Sequence, residues 1–278
     1  MNGGLLIWLF IVHLLSDFVI QSQNLLDERF STEAKILVRG NLKHAAIHLI
    51  LSIMVLAYYL FSPWVLLPVG LIFISHLAID IGKSYIIKIH PSNKYSVFLF
   101  LADQFIHGII LFIIAYFVSK QLHVPGFITL IVNMENDFIS SFLFAPNQKI
   151  LLGIMLMIIG LWGVGVFINL FVGRMKIGHK KAPNVQIVFS NSQDGDNSVP
   201  KGGFLIGVLE RLIIILAVAF NMISVIGFLI TVKSIARFKK FDDDKFVEYF
   251  IIGSFISIVC AIVIGIIIRQ LNILPLVK

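Results

Sequence analysis

The chain has 278 residues, 58% of them hydrophobic and 13% charged, with a mean hydropathy of +0.97. A soluble domain carries about 25% charged residues, so this composition excludes a water-soluble globule and predicts an all-α, polytopic membrane helical bundle. The net charge of +7 does not point to nucleic acid, because the basic residues sit at the ends of apolar runs, where membrane topology puts them. The lone cysteine, Cys260, excludes an intramolecular disulfide and a cysteine-rich metal site.

Taken in chain order, the apolar runs predict about eight transmembrane helices, near 3–21, 42–61, 64–87, 97–118, 150–172, 204–220, 222–237 and 249–268. The first is read as a membrane helix and not a cleavable signal, since no Lys or Arg precedes it and it carries Asp17. The sixth and seventh are short, with Asn221 as the natural turn, and fit a tilted or shallow hairpin. The expected organisation is a His/Asp-rich four-helix membrane domain over 1–120, an external loop and fifth span over 121–172, a flexible cytoplasmic linker over 173–203, and a C-terminal helical module over 204–278. Within the linker, "NVQIVF" reads as a short strand. Four of the loops between spans hold 13 Lys and Arg, while the alternate connections and the C-terminal tail hold 4. The positive-inside rule then puts both termini outside and the basic loops in the cytoplasm.

The first span contains "HLLSDFVIQ", which lays His13, Asp17 and Gln21 on one helical face. Ionisable groups are costly in hydrocarbon, so such a stripe needs a reason. "FIVHLLSD" (Phe10 to Asp17) aligns with "FISHLAID" (Phe73 to Asp80) at an offset of 63 residues, and the same offset carries His44 onto His107. The first four helices therefore read as two repeated hairpins, related by an axis along the membrane normal. At about 1.5 Å per residue, Asp17, His44, His48, Asp80, Lys83, Asp103, Gln104 and His107 all fall in the cytoplasmic half of the bilayer.

His-x-x-x-Asp and His-x-x-x-His place two side chains on one helix face, at the reach needed to share a metal ion. The expected ligands are His13, Asp17, His44, His76, Asp80 and His107, holding one ion or two. Imidazole and carboxylate together suit Zn, Mn, Fe or Ni. His48 and Asp103 are expected as additional ligands or as the general base, and a membrane lipid headgroup or a phosphoester is the substrate natural to that depth. Gln21 and Gln104 are read as supporting groups. Lys83 is read as a partner of Asp80 or as snorkelling to the interface. His90, His123 and His179 are read as loop bystanders. Two rival readings use the same residues, hydrogen-bonded helix glue and a proton- or divalent-cation-coupled transporter, and a third is a non-catalytic subunit whose basic loops hold a cytoplasmic protein partner. In the C-terminal module, Arg211, Lys233 and Arg237 are expected to bind an anion at the cytoplasmic surface, with Glu210 orienting one of them.

"HLLSDFVIQ", "HAAIH", "HLAIDIGK" and "DQFIH", followed by "GVLER", "KSIARF" and "EYFIIGS", resemble the bacterial membrane family catalogued as domain of unknown function three-three-zero-seven. The first four motifs span roughly residues 10–110, and the last three resemble its longer members. The resemblance implies a multi-pass protein of the bacterial inner membrane and carries no assigned activity.

Overall fold

In hydrocarbon every backbone polar group must be satisfied within the chain, which leaves helices as the economical way to cross. The computed structural model describes residues 3–59, 66–90, 96–121, 146–175, 202–238 and 244–273, and every regular element among them is helical. The expected strand "NVQIVF", His179, and His123 in the external loop lie outside the described residues. The described residues up to Met155 form one compact unit and those from Leu156 onward a second.

The first unit is built from α1 (Gly3–Leu14), which continues through a π-turn (Leu15–Val19), a short α2 (Gln23–Arg29), α3 (Ala34–Tyr59), α4 (Leu66–Ile89) and α5 (Ser96–Gln121). Pairings between the helices fix their directions. Asp17 lies beside His44, Ser84 beside Asn41, and Lys83 beside Asp103. Each sequence neighbour among the four long helices therefore runs antiparallel to the last, up-down-up-down. One end of this bundle is filled by an apolar layer of Leu5, Leu9, Leu56, Val69, Ile72, Leu111, Ile114, Ala115 and Val118. Toward the other end the interior turns polar, with His44, His48, His76, Asp80, Asp103 and His107 all buried. The outward faces are the reverse, carrying exposed Met54, Leu66, Ile74, Phe98, Phe105 and Phe117. A polar interior with a large apolar exterior is a poor arrangement for water and a good one for lipid.

The first span breaks after Val19. Ser22, in extended backbone, caps α2 through Leu25 N–H at 3.4 Å, and α2 leaves the line of α1 at 92°. This carries α2 across the polar end of the bundle and against α3. Gly40 permits the contact: a Cβ there would lie 2.6 Å from the backbone nitrogen of Arg29 and 2.6 Å from the backbone carbon of Glu28, closer than any side chain tolerates.

The second unit takes the fifth span, α6 (Pro146–Ile158) from Leu156 on, a second π-turn (Ile159–Gly163) and α7 (Val164–Met175). It is completed by α8 (Gly202–Ala219), α9 (Ser224–Arg237) and α10 (Asp244–Gln270). Asn221 ends α8 in the left-handed conformation (φ 62°). Met222 N–H reaches back to the Ala217 carbonyl at 2.7 Å, which completes a Schellman-type cap. Arg211 lies beside Ser257, and Arg269 donates to Asn221 at 3.0 Å. Helices α8 and α10 therefore run parallel, and α9 is the return between them.

Among the described residues six helices are long and apolar enough to cross a membrane, or seven if the bent α1–α2 pair counts as one span. The difference from about eight lies in α9. Its 14 residues reach about 21 Å, short of a hydrocarbon core of about 30 Å. It returns as far as Lys233, which meets Glu210 midway along α8.

Candidate metal centre

Three imidazole and carboxylate atoms meet tightly between α1 and α3. His48 Nε2 is 3.0 Å from Asp17 Oδ1, His44 Nε2 is 3.1 Å from the same oxygen, and the two nitrogens are 3.3 Å apart. The i, i+4 spacing on α3 puts both rings on one face. The π-turn at Leu15–Val19 holds Asp17 opposite them. His76 Nε2, from α4, stands 3.9 Å from Asp17 Oδ1 and 3.2 Å from Asp80 Oδ2. Ligands at about 2.0–2.1 Å from a tetrahedral ion are separated from one another by about 3.3 Å, so the Asp17–His44–His48 triangle has the edges of one face of such a shell. Two groups among the described residues can hold a metal ion: Asp17, His44, His48 and His76, and a second of His76, Asp80 and His107.

Hydrogen bonding points the same way. His107 Nδ1 lies 2.9 Å from the backbone carbonyl of Asp103. A carbonyl only accepts, so Nδ1 carries the proton and the neutral ring keeps its lone pair on Nε2. That is the tautomer a metal-ligating or proton-accepting histidine uses. His13, His76 and His107 each bury an Nε2 with no hydrogen-bond partner. Three orphaned nitrogens in one place call for an ion, a water or a ligand. A cavity of about 10 Å³ adjoins His13, His48, His76 and His107 and backs onto Leu9, Ile72 and Leu111, enough for one water-sized occupant.

A ring of supporting groups surrounds the cluster. Gln104 donates to Asp17 Oδ2 at 2.8 Å. Gln21, with its amide oriented to satisfy both neighbours, donates to the Asp17 carbonyl at 2.9 Å and accepts from Arg29 Nη1. Lys83 pairs with Asp103 at 2.7 Å and stands 3.7 Å from Asp80. Asp103, expected as a ligand or base, joins neither group and instead faces Lys83 and the back of His107. His13 is also outside both groups, its ring 5.0 Å from that of His107 and tilted 38° to it, and its Nε2 3.5 Å from Asp17.

The residue missed by sequence reasoning is Arg29. It counted there only as a basic residue of a loop, yet it is 3% exposed and lies within the polar layer. Its Nη2 forms an ion pair with Asp80 Oδ2 at 2.7 Å and its Nε donates to Asn41 Oδ1 at 3.1 Å. Asn41 in turn donates to Ser84 and to the Leu37 carbonyl. One signal was available: Asn41 stands 63 residues before Gln104, the same offset that relates the histidines.

In the second unit the three residues expected to hold an anion are committed to separate partners. Arg211 is buried and donates to the Leu161 carbonyl, within the π-turn, at 2.5 Å. Gly165 leaves the room: a Cβ there would be 2.7 Å from Arg211 Nη2. Lys233 pairs with Glu210 at 2.5 Å, and Arg237 lies over the Phe250 ring.

Fold and cluster together define a polytopic helical membrane protein with His/Asp groups gathered closely enough to hold a metal ion. Residues 5–134 match the model of the family described as "Protein of unknown function (DUF3307)". That match covers the helices that carry the cluster and stops before the second unit. Comparison with curated proteins and with solved structures gave no match.

Proposed function

We propose that the N-terminal helices form a metal centre within the bacterial inner membrane, near the cytoplasmic face, and that its chemistry is hydrolytic. The observation that carries the reading is the triangle of Asp17, His44 and His48, whose edges of 3.0, 3.1 and 3.3 Å match the face of a coordination shell. Helix glue needs pairs of donors and acceptors. It does not need five imidazoles about two carboxylates, four of them with a buried nitrogen that makes no hydrogen bond. Zn, Mn, Fe or Ni suits these ligands. Such an ion lowers the pKa of a bound water to about 7, and the adjoining cavity has room for that water. A lipid headgroup or other phosphoester at the membrane surface is the substrate class that depth favours. The offset of 63 residues supports an origin of the two hairpins as a repeat.

A transporter fits less well. The apolar layer from Leu5 to Val118 stands across the bundle on one side of the cluster, where an ion path would have to continue. The test is to load the purified protein with Zn²⁺ and mix it with phosphatidylglycerol and phosphatidylethanolamine vesicles, following headgroup release by phosphorus NMR. We expect release that Asp17→Asn abolishes. Metal bound without release, and Zn²⁺ flux into proteoliposomes instead, would refute the hydrolytic reading.

A further inference from the structure

We infer that the centre binds one divalent ion and not two, because Arg29 occupies the place of a second cation at Asp80. The inference rests on the metal-centre reading above and adds to it the stoichiometry and the job of each carboxylate. Two candidate groups share His76, and the second depends on Asp80 for its charge. The Asp80 oxygen that faces His76 at 3.2 Å and His44 at 3.6 Å is Oδ2. That same oxygen receives the Arg29 guanidinium at 2.7 Å. An ion there would have to share one oxygen with a fixed cation.

Charge balance leads to the same conclusion. The buried layer holds three carboxylates, Asp17, Asp80 and Asp103, and two cations, Arg29 and Lys83. Ligation requires neutral imidazoles, so the layer carries one residual negative charge. One divalent ion with a bound hydroxide brings it to neutrality. A second ion would leave one or two uncompensated positive charges away from water, depending on whether the ions share a hydroxide, which is a large penalty. Arg29 is also held against release. Asn41 accepts from its Nε and donates to its backbone carbonyl at 3.3 Å, and Gly40 lets α2 lie flat on α3. The near-symmetry of the two hairpins is thus broken by α2: Asp17 is a ligand, and Asp80 is the anchor of Arg29 that positions His76. The His107 lone pair is then left facing the cavity, where it accepts a hydrogen bond from the water beside the ion.

The test is Zn²⁺ bound per chain, by equilibrium dialysis and elemental analysis of full-length protein in detergent. Wild type should bind one equivalent, and Asp17→Asn should weaken it more than 100-fold, since losing a ligand exceeds the roughly 10–100-fold cost of losing a group behind one. The double variant Arg29→Met/Asp80→Asn replaces both charges and so keeps the fold testable; it should still bind one equivalent. Arg29→Met alone should admit a second. Two equivalents in wild type, loss of the ion from the folded double variant, or a single equivalent in folded Arg29→Met overturns the inference while the centre itself stands. No bound Zn²⁺ in folded wild type instead overturns the centre. If Arg29→Met does not fold, Asp17→Asn against the double variant decides.

Discussion

Gly40→Ala tests whether α2 is held on the bundle by close backbone contact. The added Cβ would sit 2.6 Å from Arg29 N, 2.6 Å from Glu28 C and 2.7 Å from Glu28 Cβ. Two of these three are main-chain atoms of α2, so no rotamer change relieves the clash and the helix must lift from α3. Overpacking of this kind costs about 1–3 kcal/mol, and pulling Arg29 fully away from Asp80 would cost about 3–5 kcal/mol as a broken buried pair. Helix displacement with a stretched ion pair lies between these limits, so we expect a loss of about 2–4 kcal/mol, seen as an apparent unfolding temperature lowered by about 5–10 °C in detergent. Local opening gives a second readout. Arg29 and Phe30 are buried, so trypsin should leave the bond between them intact in wild type and cut it in the variant, giving a peptide ending at Arg29 that mass spectrometry identifies. Wild-type unfolding together with a protected Arg29–Phe30 bond would refute the account of α2.

Arg211→Met should destabilise the second unit by about 1–3 kcal/mol, because it strips a donor from the Leu161 carbonyl inside the membrane. Ser257→Ala removes only a 3.5 Å contact and should fall within about 0.5 kcal/mol; thermal unfolding distinguishes the two. Lys233→Met leaves the Glu210 carboxylate without its partner, whereas Lys233→Met with Glu210→Gln should recover most of the loss, a coupling of about 1 kcal/mol or more in a double-mutant cycle. For orientation, reporters fused at Asn184 or Asp243 should read cytoplasmic and one at Asn136 external, following the basic-residue asymmetry; an external signal at Asn184 contradicts it.

What the sequence disclosed and what it hid divide along a physical line. Helical spacing and depth are properties of a span by itself, so Asp17, His44, Asp80 and His107 were legible at one depth before any packing was known, with His13 and His76 on the faces of Asp17 and Asp80. The bend after Val19 is a tertiary event: α2 is seven residues long, polar, and stable only where it lies on α3. Nothing in "QNLLDER" by itself says that its arginine turns inward, and so Arg29 was legible only as a loop charge. The same holds for Arg211, which "GVLER" placed at an interface. Its buried position depends on a π-turn some 50 residues earlier in the chain that hydropathy does not register. Asp103 is buried with the other polar groups, but Lys83, one turn from Asp80, reaches it first. The sequence left the pair around Asn221 as two spans or a shallow hairpin, and α9 is the shorter arm, an apolar run that ends in Lys233 and Arg237 after 14 residues.

The most direct measurement of the central claim is X-ray absorption at the metal edge of full-length protein purified from metal-replete cells without chelators. The account predicts one metal shell of three imidazole nitrogens, one carboxylate oxygen and one solvent oxygen at about 2.0–2.2 Å, lost in Asp17→Asn. No metal edge in folded protein, or a shell without imidazole, would contradict it.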